Sequence, residues 1–319
     1  MSKINEILKE INTSLSWKGL PVVWFFWDLQ QVEVKKISTW ILSLDLITNG
    51  WIPEWRIIEV FWPQASWKTT AAIKFLIEVQ NKYPEKFVAF IDVEHALDPE
   101  YAKHLWLNIE KLIFSQPSSA EEALNLITKL ADSWEVKAII LDSVAQLSPE
   151  KELNWEVWDA EMWMRARLMW QGLRKIVPIA EKNECTVFFI NQLRESMNPY
   201  SGWDIRPWGK ALPYAASMII KTTTKKVEEW VWETTFYINK NKTGVPFKST
   251  CLRTVYWQGF DKLSDIINTW KLSWIITQKW PMYYYWETSW KWETAMREDL
   301  LSNSKLLEDL EEVIKNTLV

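Results

Sequence analysis

From about residue 56, short apolar runs alternate along the chain with longer stretches in which apolar residues recur every three or four positions. Runs of the first kind are typical of buried strands, and stretches of the second kind are typical of amphipathic helices. The predicted strands are 57–61, 87–91, 112–114, 138–141 and 186–190, and the predicted helices are 68–81, 99–105, 119–132 and 160–181. This alternation predicts an α/β fold with a mainly parallel central sheet that is flanked by helices.

The pattern differs at the two ends of the chain. Residues 3–15 carry apolar side chains at helical spacing, which predicts an amphipathic N-terminal helix. After about residue 215, strand-like runs follow one another without helices between them, which predicts a mixed or antiparallel extension of the sheet. These runs are 218–222, 231–240 and 249–255. From about 262 onward, helical patterns and a tyrosine-rich turn region predict a small α+β C-terminal domain.

The first predicted strand leads through a short loop to Lys68 and Thr69 at the start of a helix. This is the layout of a phosphate-binding loop, G-x-x-x-x-G-K-[ST], whose backbone N–H groups surround the phosphates and whose hydroxyl binds Mg²⁺. Tryptophan stands in both glycine positions, where a Cβ is strained at positive φ and an indole occupies the space of the phosphate. The predicted nucleotide-binding segment is Trp62-Pro63-Gln64-Ala65-Ser66-Trp67-Lys68-Thr69-Thr70.

The composition shows that this replacement is not confined to the loop. The 319 residues include 25 Trp and 7 Gly, whereas average usage would give roughly 22 glycines. Trp51, Trp55, Trp106 and Trp208 stand at turn and helix-end positions rather than at core positions, and glycine is common at such places. We interpret them as glycines encoded by UGA, a codon that is read as stop, Trp or Gly in different genetic codes. This hypothesis predicts that several tryptophans lie at turns, exposed to solvent or at positive φ.

Charge and rare residue types exclude several classes of protein. The net charge of −4 argues against bulk attraction to nucleic acid, but residues 163–210 hold eight Lys or Arg against four acids. There is no 18-residue apolar run and no signal-peptide pattern, so we expect a soluble, cytoplasmic protein without a membrane partner. Cys185 and Cys251, like His95 and His104, lack the spacing of a zinc site.

Polar residues follow three other predicted strands. Asp142 is the kind of acid that orders Mg²⁺ or its water shell in P-loop NTPases. Glu94 is either a base that polarises the attacking water or a helix-capping or ion-paired acid, and spacing alone does not separate the two. Gln192 has the position of a γ-phosphate sensor. Because ligands bind beyond the carboxyl ends of parallel strands, we expect the chemistry to fall at this edge of the sheet.

These strand ends, in this order, resemble those of the RecA/RadA family of recombinases. The resemblance extends from about residue 37 to about residue 292. It is most specific at Phe90-Ile91-Asp92-Val93-Glu94-His95-Ala96-Leu97-Asp98-Pro99 and Asp142-Ser143-Val144-Ala145. It implies a polymerisation segment of one helix and one strand (1–31), a RecA-type P-loop NTPase core (32–261) and a small C-terminal domain (262–319).

The resemblance assigns roles to residues of a nucleotide site. By this assignment, Lys68 and Thr69 bind phosphate and Mg²⁺, Asp142 supports the metal, Glu94 is the catalytic base, Gln192 senses the γ-phosphate, and Asp98 and Tyr101 contact adenine. Lys240 and Lys242 lie two positions apart, so their side chains point to one face of a strand end, which taken alone is an ordinary solvated position. In the family, the corresponding pair reaches the γ-phosphate held by the adjacent subunit, which implies a catalytic role for both lysines.

The resemblance also implies two DNA-binding loops, at 153–163 and 193–210. The DNA-binding residues assigned in this way are Arg167, Arg174, Arg194, Met197, Trp208, Gly209 and Lys210. Taken alone, the basic residues are better explained as a solvated charged face, but repeated along a filament they form a continuous phosphate track. Pro213 and Ile219 depart from the family, which usually has basic residues at these positions.

The function implied by the resemblance is that of a DNA-dependent ATPase. Such a protein forms a homo-oligomeric helical filament on single-stranded DNA and catalyses homologous pairing and strand exchange with double-stranded DNA in recombination and repair. Its cofactors are ATP and Mg²⁺, and a LexA-like repressor is a further implied partner. Two alternatives stay open: another RecA-fold ATPase, such as a helicase or repair accessory, or, if the tryptophans are real, a nucleotide-dead DNA-binding protein.

Overall fold

The structure is a computed structural model of the chain. It describes residues 3–15, 34–50, 52–61, 68–95, 97–153, 162–192, 208–255, 259–273, 277–303 without 280, 286, 287 and 292, and the single residues 305, 309 and 313. The chain divides into two compact units, Met1–Lys35 and Lys36–Val319. Within the described ranges, none of the helices has the length and apolar character that crossing a membrane requires.

A nine-stranded mixed sheet forms the centre of the second unit. Two short strands that pair with each other, β1 (Lys36–Ile37) and β2 (Ile52–Pro53), precede it in the chain. Its own strands are β3 (Ile57–Phe61), β4 (Phe87–Asp92), β5 (Leu112–Ser115), β6 (Val136–Asp142), β7 (Thr186–Asn191), β8 (Met218–Glu228), β9 (Val231–Asn241), β10 (Ser249–Val255) and β11 (Gly259–Phe260). The order across the sheet is β11-β10-β9-β8-β3-β7-β6-β4-β5. The strands from β8 to β5 in this order are parallel, and β9, β10 and β11 continue the sheet in antiparallel pairing.

Helices cover both faces of this sheet. Among the described residues, the first unit contains α1 (Lys3–Leu15). The α-helices of the second unit are α2 (Leu42–Ile47), α3 (Lys68–Lys82), α4 (Pro99–His104), α5 (Ala120–Asp132), α6 (Glu150–Leu153), α7 (Met162–Lys182), α8 (Ala211–Ala215), α9 (Lys262–Leu272) and α10 (Glu293–Ser302). Because side chains alternate along a strand, Ile58 and Val60 of β3 join the core that contains α2 and α3, whereas Ile57 and Phe61 join the core that contains α5, α7 and α8. The central strand β3 is therefore buried on both sides.

The predicted alternation of strands and helices is confirmed, and all predicted strands up to residue 255 are part of the sheet. The predicted antiparallel extension is also confirmed in β9 to β11. The prediction missed α2, α6, α8, β1, β2 and β11. These elements have two to six residues, which is too short for a hydrophobic period to appear.

The predicted N-terminal helix is confirmed as α1. Its Ile4 and Ile7 side chains are exposed, so part of its apolar stripe is not covered within this unit. An uncovered apolar stripe fits a segment that packs on a second copy of the chain. The role of residues 1–31 in polymerisation stays a prediction.

The C-terminal elements combine α9 and α10 with a three-stranded antiparallel sheet of β12 (Thr277–Lys279), β13 (Met282–Tyr285) and β14 (Thr288–Lys291). Ile266, Trp270, Met296 and Leu300 are among the residues that form their core. The Asp265 carboxylate of α9 accepts the backbone N–H groups of Leu42 and Ser43 at 2.7 and 2.9 Å, which caps the start of α2. The predicted α+β content is confirmed, while the domain boundary at 262 stays a prediction.

Several tryptophans have backbone conformations that favour glycine. Trp40, Trp55, Trp106, Trp134 and Trp208 have φ between 61° and 74°, a region that strains residues with a Cβ. They are five of the nine non-glycine residues with positive φ in the part of the chain that the structure describes. Trp106 is also 86% exposed. The prediction that several tryptophans lie at turns, exposed or at positive φ is confirmed.

The prediction that Trp208 is not a core position is wrong. Its backbone turns at φ 71°, but its side chain is only 3% exposed. The indole belongs to the core that contains α7 and α8, and the Arg165 guanidinium lies 6.0 Å from the ring centroid. The physical reason is that burying a large aromatic surface is favourable wherever a neighbouring helix offers an apolar face.

Asp45 of α2 is a fully buried acid in the same unit. Its carboxylate accepts hydrogen bonds from the Ser38 hydroxyl, the Thr39 hydroxyl and the Thr39 backbone N–H at 2.7 to 2.9 Å. These bonds favour the ionised form, but burial outweighs them and raises the pKa of Asp45 to about 7, with a further contribution from Asp265.

The stability of the chain is therefore expected to fall as the pH rises from about 4 to about 7. In this window Asp45 is protonated in the folded chain and ionised in the unfolded chain, so the folded state binds more protons and loses stability with rising pH. The loss is on the order of 2–4 kcal/mol. Urea unfolding at about pH 5 and about pH 7.5 measures it, and Asp45→Asn, which cannot ionise, is expected to show a much smaller difference. An equal loss in this variant would contradict the assignment.

Candidate nucleotide-binding site

Strands β3, β7, β6 and β4 lie side by side in the sheet and are parallel, so their carboxyl ends share one edge. Lys68 begins α3 beyond β3, and Asp142 ends β6. Glu94 lies two residues beyond the end of β4, and Gln192 directly follows β7. Contacts between these side chains bring them together at this edge of the sheet, while the chemistry assigned to them stays a prediction.

Lys68 is the centre of this cluster and is buried. Its ammonium contacts the Glu94 carboxylate and lies 3.2 Å from Asp142 Oδ1. The Thr69 hydroxyl lies 3.4 Å from the other oxygen of Asp142. Burial raises the pKa of Asp142, and Lys68 opposes this by stabilising the carboxylate. A cation, a hydroxyl and a carboxylate therefore stand together at the start of a helix, which is the set of groups that a phosphate and Mg²⁺ site uses.

Glu94 connects three strand ends. One of its oxygens, Oε1, accepts hydrogen bonds from the Ser143 hydroxyl and from the Gln192 side-chain amide, both at 2.5 Å. The other oxygen contacts Lys68. Of the two alternatives left open by the sequence, the ion pair is thus present. The ion pair does not exclude the role of base. Ligands of parallel sheets bind beyond the carboxyl ends of the strands, and the Glu94 carboxylate lies there.

The two residues assigned to adenine lie on α4 or just before it. Asp98 is exposed and caps α4, accepting the backbone N–H groups of Glu100 at 2.9 Å and of Tyr101 at 3.4 Å. The Tyr101 hydroxyl lies 2.9 Å from the Thr70 hydroxyl in the first turn of α3. Tyr101 therefore bridges the helix of the lysine and the helix that Asp98 caps. Their contact with adenine stays a prediction.

The residues assigned to DNA binding have different positions. Arg167 and Arg174 are exposed on α7 and are seven residues, about two turns, apart, so they share one face of the helix. Lys210 is exposed at the start of α8, whereas the Trp208 side chain is buried. Gly209 has φ 71°, and a Cβ there would lie 3.3 Å from Ala166 of α7. Direct DNA contact by the Trp208 side chain therefore does not fit this structure.

The assigned lysine pair lies at the end of β9. Lys240 is half-buried, and its ammonium donates to the carbonyl oxygens of Pro213 at 2.7 Å and Tyr214 at 3.3 Å. Lys242 is exposed just beyond the strand, and its backbone N–H donates to Ser217 O at 2.9 Å. Burial lowers the pKa of Lys240, and the charge of Lys242 lowers it further. The two like charges therefore act on each other at this strand end, while their catalytic role stays a prediction.

Some assigned residues lie outside the described ranges, and other residues were missed. The residues outside are Trp62, Pro63, Gln64, Ala65, Ser66, Trp67, Arg194 and Met197. Sequence reasoning missed Ser143, Asn191 and Glu59. Ser143 and Asn191 each adjoin an assigned residue at a strand end, and Glu59 is the one acid within the apolar run of β3. A polar residue inside such a run is the signal that identifies the last of these.

This fold and site define the class of P-loop NTPases: a buried parallel strand leads to a lysine and a hydroxyl at a helix start, with an acid at the end of a nearby strand. Residues 2–261 match the family model of the RecA N-terminal domain. The chain belongs to the RecA family.

Known proteins agree with this placement. The chain is 37% identical to Protein RecA of Mycoplasma mobile over 322 residues, covering 98% of this chain and 96% of that protein. It is 36% identical to Protein RecA of Nostoc punctiforme over 264 residues, covering 81% of this chain and 73% of that protein. The crystal structure of the RadB recombinase superposes with a TM-score of 0.54 at 19% identity, covering 70% of this chain and 98% of that one. This last likeness supports the fold alone.

Proposed function

We propose that the chain is a DNA-dependent ATPase that polymerises on single-stranded DNA and promotes homologous pairing and strand exchange in recombination and repair. Membership of the RecA family supports the recombinase function. The ATPase assignment rests on one observation at the carboxyl ends of the parallel strands. Lys68 contacts both Glu94 and Asp142, and Gln192 donates to Glu94.

The residues at this edge fit ATP and Mg²⁺. The Thr69 hydroxyl and the buried Asp142 carboxylate are hard oxygen donors of the kind that Mg²⁺ prefers. Lys68 supplies a positive charge for the phosphates at the start of α3, where the helix dipole also favours an anion. Bound MgATP supplies the phosphoryl group that is transferred to water.

The hydrolytic roles belong to Glu94 and Gln192. Glu94 accepts a proton from the attacking water, and its contacts with Ser143 and Gln192 hold its carboxylate in one orientation. The Gln192 side-chain amide donates to Glu94, and Gln192 directly precedes the segment 193–210. Gln192 therefore also connects hydrolysis with the second predicted DNA loop. This arrangement makes turnover sensitive to DNA.

The proposed DNA track uses Arg167, Arg174 and Lys210, which are exposed, together with Arg194, Met197 and Gly209. Two or three cations in each subunit bind weakly alone, but a helical homo-oligomer repeats them along the phosphate backbone. Double-stranded DNA is the second substrate of strand exchange.

The decisive experiment compares two variants in the glycine form, which we define as the chain with glycine at its 25 tryptophan positions. Lys68→Ala is expected to abolish ATP binding, because it removes the phosphate cation. Glu94→Gln is expected to keep ATP binding within a few-fold and to lower hydrolysis by about 10²–10⁴-fold, because it removes only the base. Equilibrium ATP binding, phosphate release and strand exchange between labelled DNAs measure these effects.

The same assays can also contradict the proposed function. Normal hydrolysis by Glu94→Gln would show that another group is the base. Hydrolysis that is stimulated by DNA without any strand exchange in the unsubstituted glycine form would favour a helicase-like or accessory ATPase of the same fold instead of a recombinase.

A further inference from the structure

Glu59 lies in the middle of β3, where its neighbours are apolar, and its side chain is completely buried. A buried carboxylate is costly unless hydrogen bonds or a cation compensate for its lost hydration. The proposed reaction assigns Glu59 no role, although β3 leads directly to the predicted phosphate loop. Its contacts show which parts of the molecule it connects.

On one side, Glu59 leads to the predicted base. Asn191, which is also buried, donates its side-chain N–H to Glu59 Oε1 at 3.1 Å. The side-chain oxygen of Asn191, Oδ1, accepts the backbone N–H of Gln192 at 2.9 Å. The Gln192 side-chain amide in turn donates to Glu94. A continuous series of hydrogen bonds therefore joins Glu59 to Glu94 across two strands.

On the other side, Glu59 leads to Lys240. Glu59 pairs with Ile219 of β8, and Ile219 pairs with Lys240 of β9. Side chains at paired positions of neighbouring strands point to the same face of a sheet, which here is the face covered by α8. Burial and Lys242 lower the pKa of Lys240, whereas Glu59 acts in the opposite direction. The carboxylate therefore stabilises the charged form of this lysine.

These two connections reach the two opposite ends of one segment of the chain. Asn191 and Gln192 directly precede residues 193–210, the second predicted DNA loop, and α8 directly follows them. Lys240 donates to the carbonyl oxygens of Pro213 and Tyr214 in α8. Glu59 thus has a link to the element before this segment and a link to the element after it.

We propose that Glu59 is a positioning residue that couples both ends of the segment 193–210 to the nucleotide site. Through Asn191 it orients Gln192 on Glu94, and its negative charge stabilises the Lys240 ammonium on the face of the sheet that α8 covers. The inference rests on the proposed function, because it names Glu59 as the residue through which DNA binding affects ATP turnover. Glu59 itself contacts no reacting group.

The first test needs neither nucleotide nor DNA and uses the chain with its tryptophans. Its lysines are reductively methylated with ¹³C, and the Lys240 signal, assigned with Lys240→Arg, is titrated by NMR. Glu59→Gln keeps the shape of the side chain and removes its charge, so the pKa of Lys240 is expected to fall. Glu54→Gln is the matched control. Glu54 is also buried, but it binds Lys82 and Tyr83, so its loss leaves the pKa of Lys240 unchanged.

The second test measures turnover in the glycine form. Glu59→Gln is expected to lower DNA-stimulated turnover about 10–100-fold, the range typical of groups that orient a functional side chain. The KM for ATP is expected to change less than about twofold, because no residue on the phosphates is altered. Asn191→Ala interrupts the same path at its other end. It is expected to show the same loss of turnover with an unchanged Lys240 pKa, and it keeps the test decisive if Glu59→Gln does not fold.

The outcomes separate this inference from the proposed function. An unchanged Lys240 pKa together with normal DNA-stimulated turnover in Glu59→Gln overturns the inference. A KM that rises as much as kcat falls also overturns it, because Glu59 would then act on ATP binding. A lowered Lys240 pKa in a protein whose unsubstituted glycine form does not hydrolyse ATP supports the electrostatic link between Glu59 and Lys240 and overturns the proposed function instead.

Discussion

With glycine in place of Trp62 and Trp67, the chain is expected to bind ATP about 10²–10⁴-fold more tightly than it does with both tryptophans. In a phosphate-binding loop of this pattern, the glycines allow backbone N–H groups to turn towards the phosphates. Each hydrogen bond to a charged group contributes about 1.5–3 kcal/mol. The loss of two such bonds costs roughly 3–6 kcal/mol, which corresponds to the stated range of affinity. Titration with a fluorescent ATP analogue measures it.

Two other tryptophans provide matched controls. Trp106 and Trp134 are exposed, and their φ values of 74° and 63° favour glycine, but neither belongs to the phosphate loop. Trp106→Gly and Trp134→Gly are expected to leave ATP affinity unchanged. Each is expected to raise the free energy of unfolding by about 1 kcal/mol, because glycine relieves the strain at positive φ.

The coding DNA tests the origin of the tryptophans directly. UGA is expected at essentially all 25 positions. UGG codons at Trp62 and Trp67, together with an unchanged ATP affinity after both substitutions, would contradict the hypothesis. The alternative of a nucleotide-dead DNA-binding protein would then account better for the chain.

Much of the sheet could be predicted because its strands and long helices each carry a clear period. The run Ile57–Phe61 is fully buried on both faces, and the following helix shows the spacing of 3.6 residues. The acid at the end of β6 could be predicted for the same reason, since a charged residue directly after a buried strand marks the edge of the sheet. The local hydrophobic pattern was therefore sufficient to predict the position of this acid.

Contacts between distant residues could not be predicted in this way. Asp265 caps α2 from 222 positions away in the chain, and Asn191 reaches Glu59 across 132 positions. Such pairs depend on which strands lie side by side. The order β8-β3-β7-β6 cannot be predicted from the hydrophobic pattern of any single strand. The buried indole of Trp208 is a related case, because its burial depends on α7 and not on its own turn.

In the glycine form, Lys240→Ala is expected to lower DNA-stimulated turnover about 10³-fold or more while leaving ATP binding by the single subunit nearly intact. The Lys240 ammonium donates hydrogen bonds to the carbonyl oxygens of Pro213 and Tyr214 in α8. In a head-to-tail filament, a group on one face of a subunit completes the site of its neighbour. A cation that reaches the transferred phosphate from another subunit contributes about 10³–10⁵ in rate, and this contribution is what the substitution removes.

Matched lysine variants define the specificity of this effect. Lys242→Ala is expected to act in the same direction, because Lys242 is the second lysine of the pair assigned to the γ-phosphate of the adjacent subunit. Lys226→Ala removes an exposed lysine near the far end of β8 and serves as the control. It is expected to leave DNA-stimulated turnover within about twofold of the unsubstituted rate, as is usual for a surface charge away from the site.

Mixing the Lys240→Ala subunit with a Glu94→Gln subunit is expected to restore part of the lost turnover. The first variant keeps an intact Glu94 and the second keeps an intact Lys240, so an interface that joins these two groups is complete. With random mixing in a head-to-tail filament, about a quarter of the interfaces are of this kind, and turnover is expected to recover to roughly that fraction. Each variant alone stays inactive. The comparison is a mixture of Glu94→Gln with Lys68→Ala, which is expected to restore no turnover, because both subunits are then defective on the side of the interface that holds ATP. If filaments form, as seen by electron microscopy, but no turnover returns, Lys240 acts within its own subunit or has no part in hydrolysis.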